Sequence, residues 1–122
     1  PNDPKPPFLA AKPRHWQLDG WATLLTSTPA QEHHFHQHGW ISGVYYVKIP
    51  DFIGKSEVGN AGCIEFCRFP QYSTRPVMSE FVAFAPYEGM LILFPSYFYH
   101  RVVEFPDSER RVSFAFNVTP SA

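Results

Sequence analysis

No apolar run in this chain approaches the ~20 residues that a membrane-crossing helix needs, and the opening PNDPKPPF lacks the apolar core of a secretory signal. A soluble, cytoplasmic protein with no membrane partner is the expectation. Charge of one sign is scarce as well. The 10 Lys and Arg stand against 11 Asp and Glu, for a net charge of -1, so no electrostatic footprint for a nucleic-acid backbone is present. Cysteine is limited to 2 residues, Cys63 and Cys67 of CIEFC. On a strand rising ~3.3 Å per residue their Cα atoms sit about 13 Å apart, beyond the ~7 Å that a disulfide spans. They read as small apolar residues on one strand face, compatible with a reducing compartment. Helical periodicity is missing too: no segment of helical length repeats its apolar residues as an amphipathic helix does, and no internal repeat is found.

What is present favours strands. Of the 122 residues 44% are hydrophobic and 17% aromatic, with 12 Phe, 6 Tyr and 3 Trp, a composition suited to a single core of large rings and pleated sheet. The chain starts at Pro1 without Met, as a processed product or a domain cut from something longer does. Residues 1–13, with five of the 13 prolines, read as an extended arm, and residues 14–122 as the folded domain. RHWQLDGWATLLT alternates with period two around Asp19-Gly20, which marks a bulge or a turn. WISGVYYVKI, AGCIEFC, EFVAFAP, MLILFP, YFYHRVVEF and RVSFAFNV follow as short strands separated by turn chemistry such as PYEG, PS and PDSE. Seven or eight such strands predict an all-β sandwich or barrel, most naturally a jelly roll, with little helix.

Four of the six histidines crowd into HHFHQH. If residues 32 to 38 are extended, Glu32, His34, His36 and His38 project from one face. Imidazoles at i and i+2 can reach one ion, and a third ligand must come from elsewhere in the fold. His100, at the start of a late strand, is the candidate. The competing reading makes each of these an ordinary hydrogen-bonded histidine, the reading kept for His15 and for His33 on the opposite face.

A hairpin closed by PDSE, with Glu104 opposite Arg111, would put Arg111, Ser113, Ala115 and Asn117 on the face of His100. Arg111 then lies roughly 13 Å from His100 along the strand, and its side chain covers nearly half that gap. The remainder suits a small dicarboxylate stretched from metal to guanidinium, which grips a carboxylate through two parallel hydrogen bonds. Arg110, on the other face, reads as part of a solvated patch with Asp107 and Glu109, and the same reading stays open for Arg111.

H-x-H, then G-W-I-S-G-V-Y-Y-V, then G-M-L-I-L-F-P-S-Y-F-Y-H, then R-V-S-F-A-F-N together resemble a family of 2-oxoglutarate and Fe(II)-dependent oxygenases, over about Trp16 to Val118. The resemblance implies a double-stranded β-helix and a dioxygenase that uses Fe(II), 2-oxoglutarate and O2. Such an enzyme hydroxylates a substrate, here unidentified, and releases succinate and CO2. It also implies His34, His36 and His100 as metal ligands, Arg111 with Ser113 on the distal carboxylate of the cosubstrate, and Tyr46 beside them. Asn117, on the Arg111 face, is a further candidate for contact with cosubstrate. The wider superfamily has a carboxylate where His36 stands. Glu32 in place of it, or His38 in place of His36, therefore remain alternatives.

Two rival classes stay open. A cupin-type metalloenzyme without 2-oxoglutarate shares H-x-H and Gly89-x5-Pro95-x4-His100, though its expected Glu is replaced by Trp40 and Ile41. A metal-free jelly-roll binding module keeps only the fold. Trp16, Trp21 and Trp40 read as core or wall packing, Tyr45 and Tyr46 as pointing to opposite faces, and Asp51 to Asn60 with Pro70 to Glu80 as substrate-recognition loops.

Overall fold

The computed structural model describes residues 4–28, 33–67, 81–106 and 110–122. Its strands are β1 (Trp16–Leu25), β2 (Ile41–Lys48), β3 (Ile64–Cys67), β4 (Phe81–Phe84), β5 (Leu91–Pro95), β6 (Tyr99–Val102) and β7 (Arg111–Pro120). They form two antiparallel sheets, one in the order β1-β7-β2-β5 and one in the order β4-β3-β6. Residues from both sheets line one cavity between them, an all-β, jelly-roll-like arrangement. Among the described residues helix is confined to one α-turn, α1 (Pro7–Ala10), and one 3-10 turn, Ser56–Val58, and no helix is long and apolar enough to cross a membrane.

α1 belongs to the proline-rich arm, which does more than extend. The Phe8 ring stacks on Trp40 at 4.9 Å, and the Trp40 indole N–H donates to the Phe8 carbonyl at 2.8 Å. The buried apolar side chains include Tyr46, Ile64, Phe94 and Phe105.

Two expectations are corrected. β1 runs unbroken through Asp19-Gly20, in continuous register with β7 from Trp16↔Pro120 to Leu25↔Arg111. Glycine in a strand signals either a bulge or a close approach, and here it is the second: a Cβ on Gly20 would meet the Phe114 ring at 2.8 Å. The second correction concerns β6 and β7, which do not form a hairpin. β6 pairs with β3, His100↔Phe66 and Arg101↔Glu65, whereas β7 lies between β1 and β2 with both edges hydrogen-bonded. A ten-residue strand flanked by two apolar partners satisfies more backbone than a short hairpin with the four-residue β6. His100 and Arg111 consequently face one cavity from different sheets.

Alternation along β7 turns Arg111, Ser113, Ala115 and Asn117 to the cavity, with Tyr46 opposite Ser113 and Ser42 opposite Asn117 on β2. The outer face of the same sheet carries exposed Trp16, Leu18, Leu24, Tyr45 and Phe114. Trp16 is therefore on the surface and not in the core.

Candidate metal centre

His34 and His100 are joined as an antiparallel bridge, the His34 N–H donating to the His100 carbonyl at 3.0 Å and the His100 N–H to the His34 carbonyl at 2.9 Å. The segment around His34 thus extends the three-stranded sheet beyond β6. Its period-two alternation sends His34 and His36 into the cavity. Their odd-numbered neighbours go the other way, His33 against Phe81 and Phe35 against Tyr99. His36 is tied down by its own N–H, which donates to the Ser96 carbonyl at 2.9 Å.

The result is a group in which His34, His36 and His100 each offer one ligand atom, all within 4.8 Å of one another. Nε2 of His36 and Nε2 of His100 are 3.2 Å apart. Nitrogens bound to one ion at about 2.1 Å sit roughly 3 Å apart, so this spacing fits a shared cation. Burial, followed by the neighbouring imidazoles, pushes the His100 pKa down to about 4. Burial and His34 lower that of His36. Both rings stay neutral at pH 7, the form that binds metal. Nδ1 of His100 donates to the Phe98 carbonyl at 3.0 Å, which leaves the Nε2 lone pair aimed into the site.

No carboxylate among the described residues joins this group. Glu32 lies outside the described residues, and His38 is exposed and apart from the three. The buried Glu65 belongs to a separate cluster, accepting from His33 Nε2 at 3.0 Å and from Arg101 Nε at 2.9 Å.

The same cavity, about 300 Å³, is lined at another part of its wall by Arg111, Tyr46 and Ser113, which are 3%, 0% and 4% exposed. The guanidinium carbon lies 5.2 Å above the centre of the Tyr46 ring. Nε of Arg111 and the Tyr46 hydroxyl are buried with no hydrogen-bond partner among the described residues. Burial lowers the Arg111 pKa and raises that of Tyr46. Arg110, by contrast, is exposed.

Asn117 is engaged differently. Its Oδ1 accepts from Ser42 Oγ at 2.6 Å, and its Nδ2 lies 3.5 Å from Nδ1 of His36. Ser42 in turn is 2.8 Å from Ser96 Oγ. Sequence reasoning missed Ser42 and Ser96; the available signal was a serine at an inward position in each of two apolar motif strings, WISG and LFPS. Trp21, read as core or wall packing, is 43% exposed and stands in the cavity wall, 6.1 Å from the His36 ring. None of the described lining residues comes from Asp51 to Asn60, and Pro70 to Glu80 lies outside the described residues.

Fold and site together define a jelly-roll-like β-protein with a three-histidine metal-binding centre. A family model described as "Putative 2OG-Fe(II) oxygenase" matches residues 19–117, most of the chain, and the chain belongs to that family. A comparison with curated proteins found none that matches.

Proposed function

We propose that this chain is an Fe(II) and 2-oxoglutarate-dependent dioxygenase of the double-stranded β-helix type, hydroxylating a substrate with release of succinate and CO2. His34, His36 and His100 would hold the iron, and Arg111, Ser113 and Tyr46 the distal carboxylate of the cosubstrate. Iron, 2-oxoglutarate and O2 supply the oxidising chemistry when bound; the chain's own residues ligate, orient and exclude water.

The observation that carries this reading is Arg111. A buried cation costs several kcal/mol of lost hydration, and the Tyr46 ring beneath it returns only about 2. No described carboxylate pairs with it, and among the described residues neither its Nε nor the Tyr46 hydroxyl makes a well-formed hydrogen bond, the two groups having chiefly each other for company. A small carboxylate entering from the cavity answers all three needs, through a charge-assisted hydrogen bond from Arg111 and hydroxyl donors from Tyr46 and Ser113. The free thiols of Cys63 and Cys67 suit a cytoplasmic setting.

The all-histidine donor set favours a second reading, a cupin-type metalloenzyme that works without 2-oxoglutarate. Anaerobic titration of the Fe(II)-loaded protein with 2-oxoglutarate separates the two. The dioxygenase develops a weak visible metal-to-ligand charge-transfer band, and Arg111→Leu binds iron but needs at least ~10-fold more 2-oxoglutarate to show it. Bound iron with no band at any concentration selects the cupin-type enzyme. Failure to take up stoichiometric iron leaves a metal-free binding module.

A further inference from the structure

The hydrogen bonds around His36 form one directional chain, and each donor in it follows from its neighbour. A carbonyl only accepts, so His100 Nδ1 carries the proton that reaches Phe98 O, and His100 Nε2 is bare. The 3.2 Å contact between the two Nε2 atoms then needs its proton from His36, which leaves His36 Nδ1 as an acceptor. The amide nitrogen of Asn117 faces that atom at 3.5 Å. Asn117 Oδ1 accepts from Ser42, whose other contact, with Ser96 Oγ, must be donated by Ser96. Without a metal the protons therefore run Ser96 to Ser42 to Asn117 to His36 to His100.

A cation shared by His36 and His100 demands the opposite arrangement at His36. Both Nε2 atoms must offer lone pairs, so the neutral His36 ring must carry its proton on Nδ1 and needs an acceptor there. We propose that Asn117 is the positioning residue that meets this demand. Its amide turns over to present Oδ1 to His36 Nδ1–H, and Nδ2 then donates to Ser42, whose hydroxyl rotates to donate to Ser96. No net proton is gained or lost in the ring: one leaves Nε2 and one arrives at Nδ1. An amide, with a donor and an acceptor at its two ends, and two hydroxyl rotors can serve both directions, which a carboxylate or an apolar side chain cannot.

The surroundings are shaped for it. Ser42 is 2% exposed and Ser96 0%, so neither hydroxyl has water as a ready alternative. A Cβ on Gly39 would collide with Ser96 Oγ and touch Asn117 Cβ at 3.5 Å, so the glycine of H-G-W leaves room for this chain of groups. Asn117 thus acts on the metal through His36, from a position on the wall of the same cavity.

The inference rests on the three-histidine metal reading, and its test separates the two. Co(II) affinity is measured by titration, and the His36 tautomer by imidazole ¹⁵N NMR in metal-free and Zn(II)-loaded protein. Wild type should show Nε2–H when metal-free and Nδ1–H when loaded. Asn117→Leu should bind Co(II) about 10- to 100-fold more weakly. Asn117→Asp, an acceptor at both oxygens, should keep wild-type affinity or better and show Nδ1–H even without metal. Ser42→Ala should weaken binding less than Asn117→Leu. If Asn117→Leu unfolds, the tautomer in Asn117→Asp and the affinity of Ser42→Ala still decide the matter. Stoichiometric Co(II) binding in wild type with the same affinity and tautomers in every variant overturns the role of Asn117 alone. Absence of Co(II) binding in wild type overturns it together with the metal reading.

Discussion

Adjacent residues His33 and His34 lead into two clusters built from the same side-chain type on opposite faces of the three-stranded sheet. On the cavity face, His34, His36 and His100 bring three imidazoles together with no carboxylate among the described residues. On the other face, His33 meets Glu65, which also accepts from Arg101, so the anion, the cation and the polar ring satisfy one another. The register makes this split possible: Phe66 lies beside His100 and Glu65 beside Arg101, and successive residues alternate faces. A cluster in which a buried anion meets its own donors is a structural device. A cluster of imidazoles with no carboxylate among the described residues is suited to a cation from outside.

The largest effect should come from emptying the cavity-side cluster. His34→Ala and His100→Ala should each weaken Fe(II) or Co(II) binding by more than about 100-fold, beyond what loss of an outer hydrogen-bond partner produces. At metal concentrations near 100 times the wild-type Kd, wild type gains about 2.7 kcal/mol of stability from binding and the variants less than about 0.4. Calorimetric titration and metal-dependent melting measure both.

Glu65→Leu tests the other cluster and should give the reverse profile. Removing the carboxylate takes away the acceptor that Arg101 and His33 share, which costs about 3 kcal/mol, the lower end for a broken buried pair because the Arg101 side chain is 29% exposed. Urea unfolding of the metal-free protein reads the loss, and Co(II) affinity should stay within about threefold of wild type. A large loss of metal affinity without loss of stability would reverse the roles assigned to the two clusters.

Much of this contrast follows from the one-dimensional pattern. Period two separates His34 and His36 from His33 and Phe35, and an Arg-x-Ser leading into an apolar alternation places Arg111 and Ser113 on one face of β7. What the pattern leaves open is which strands pair. β6 and β7 are joined by turn-forming residues, which predicts a hairpin, yet each finds a longer-range partner, because sheet pairing is decided by burial and edge satisfaction over the whole fold. Glu65 is obscured for the same reason. Within CIEFC it looks like an outward strand residue, and its partners lie 32 and 36 positions away. Ser42 and Ser96 gain meaning only once Asn117 is seen between Ser42 and His36.

Acid should separate the clusters further. In the metal-free protein His100 resists protonation down to about pH 4, because charging it would place a cation in a buried site beside other imidazoles. The unfolded chain accepts that proton near 6.5. Between 6.5 and 4 the unfolded state therefore binds more protons, and stability falls with falling pH; above 6.5 this contribution is fully present. The loss attributable to His100 is about 3 kcal/mol over that interval. Urea midpoints of metal-free wild type across pH 4 to 7 should fall steadily toward acid, and His100→Phe should flatten the slope. Bound metal should shift the fall to lower pH, since the proton then competes with the ion for the same lone pair.

The smallest effect belongs to His33, and it bears most directly on whether the clusters are independent. Burial lowers the His33 pKa, the Arg101 charge lowers it further, and Glu65 pulls it back, so near neutrality the ring donates to the carboxylate as a neutral N–H. His33→Gln keeps an N–H donor of similar reach. It should cost no more than about 1 kcal/mol, the net value of one ordinary hydrogen bond, and Co(II) affinity should stay within about twofold. Because His33 and His34 share a peptide unit, this is where any mechanical coupling must appear. A drop in Co(II) affinity comparable to that of His34→Ala would mean that the Glu65 contact holds the backbone of the ligand segment in place, making the outer cluster part of the metal centre and not its counterweight.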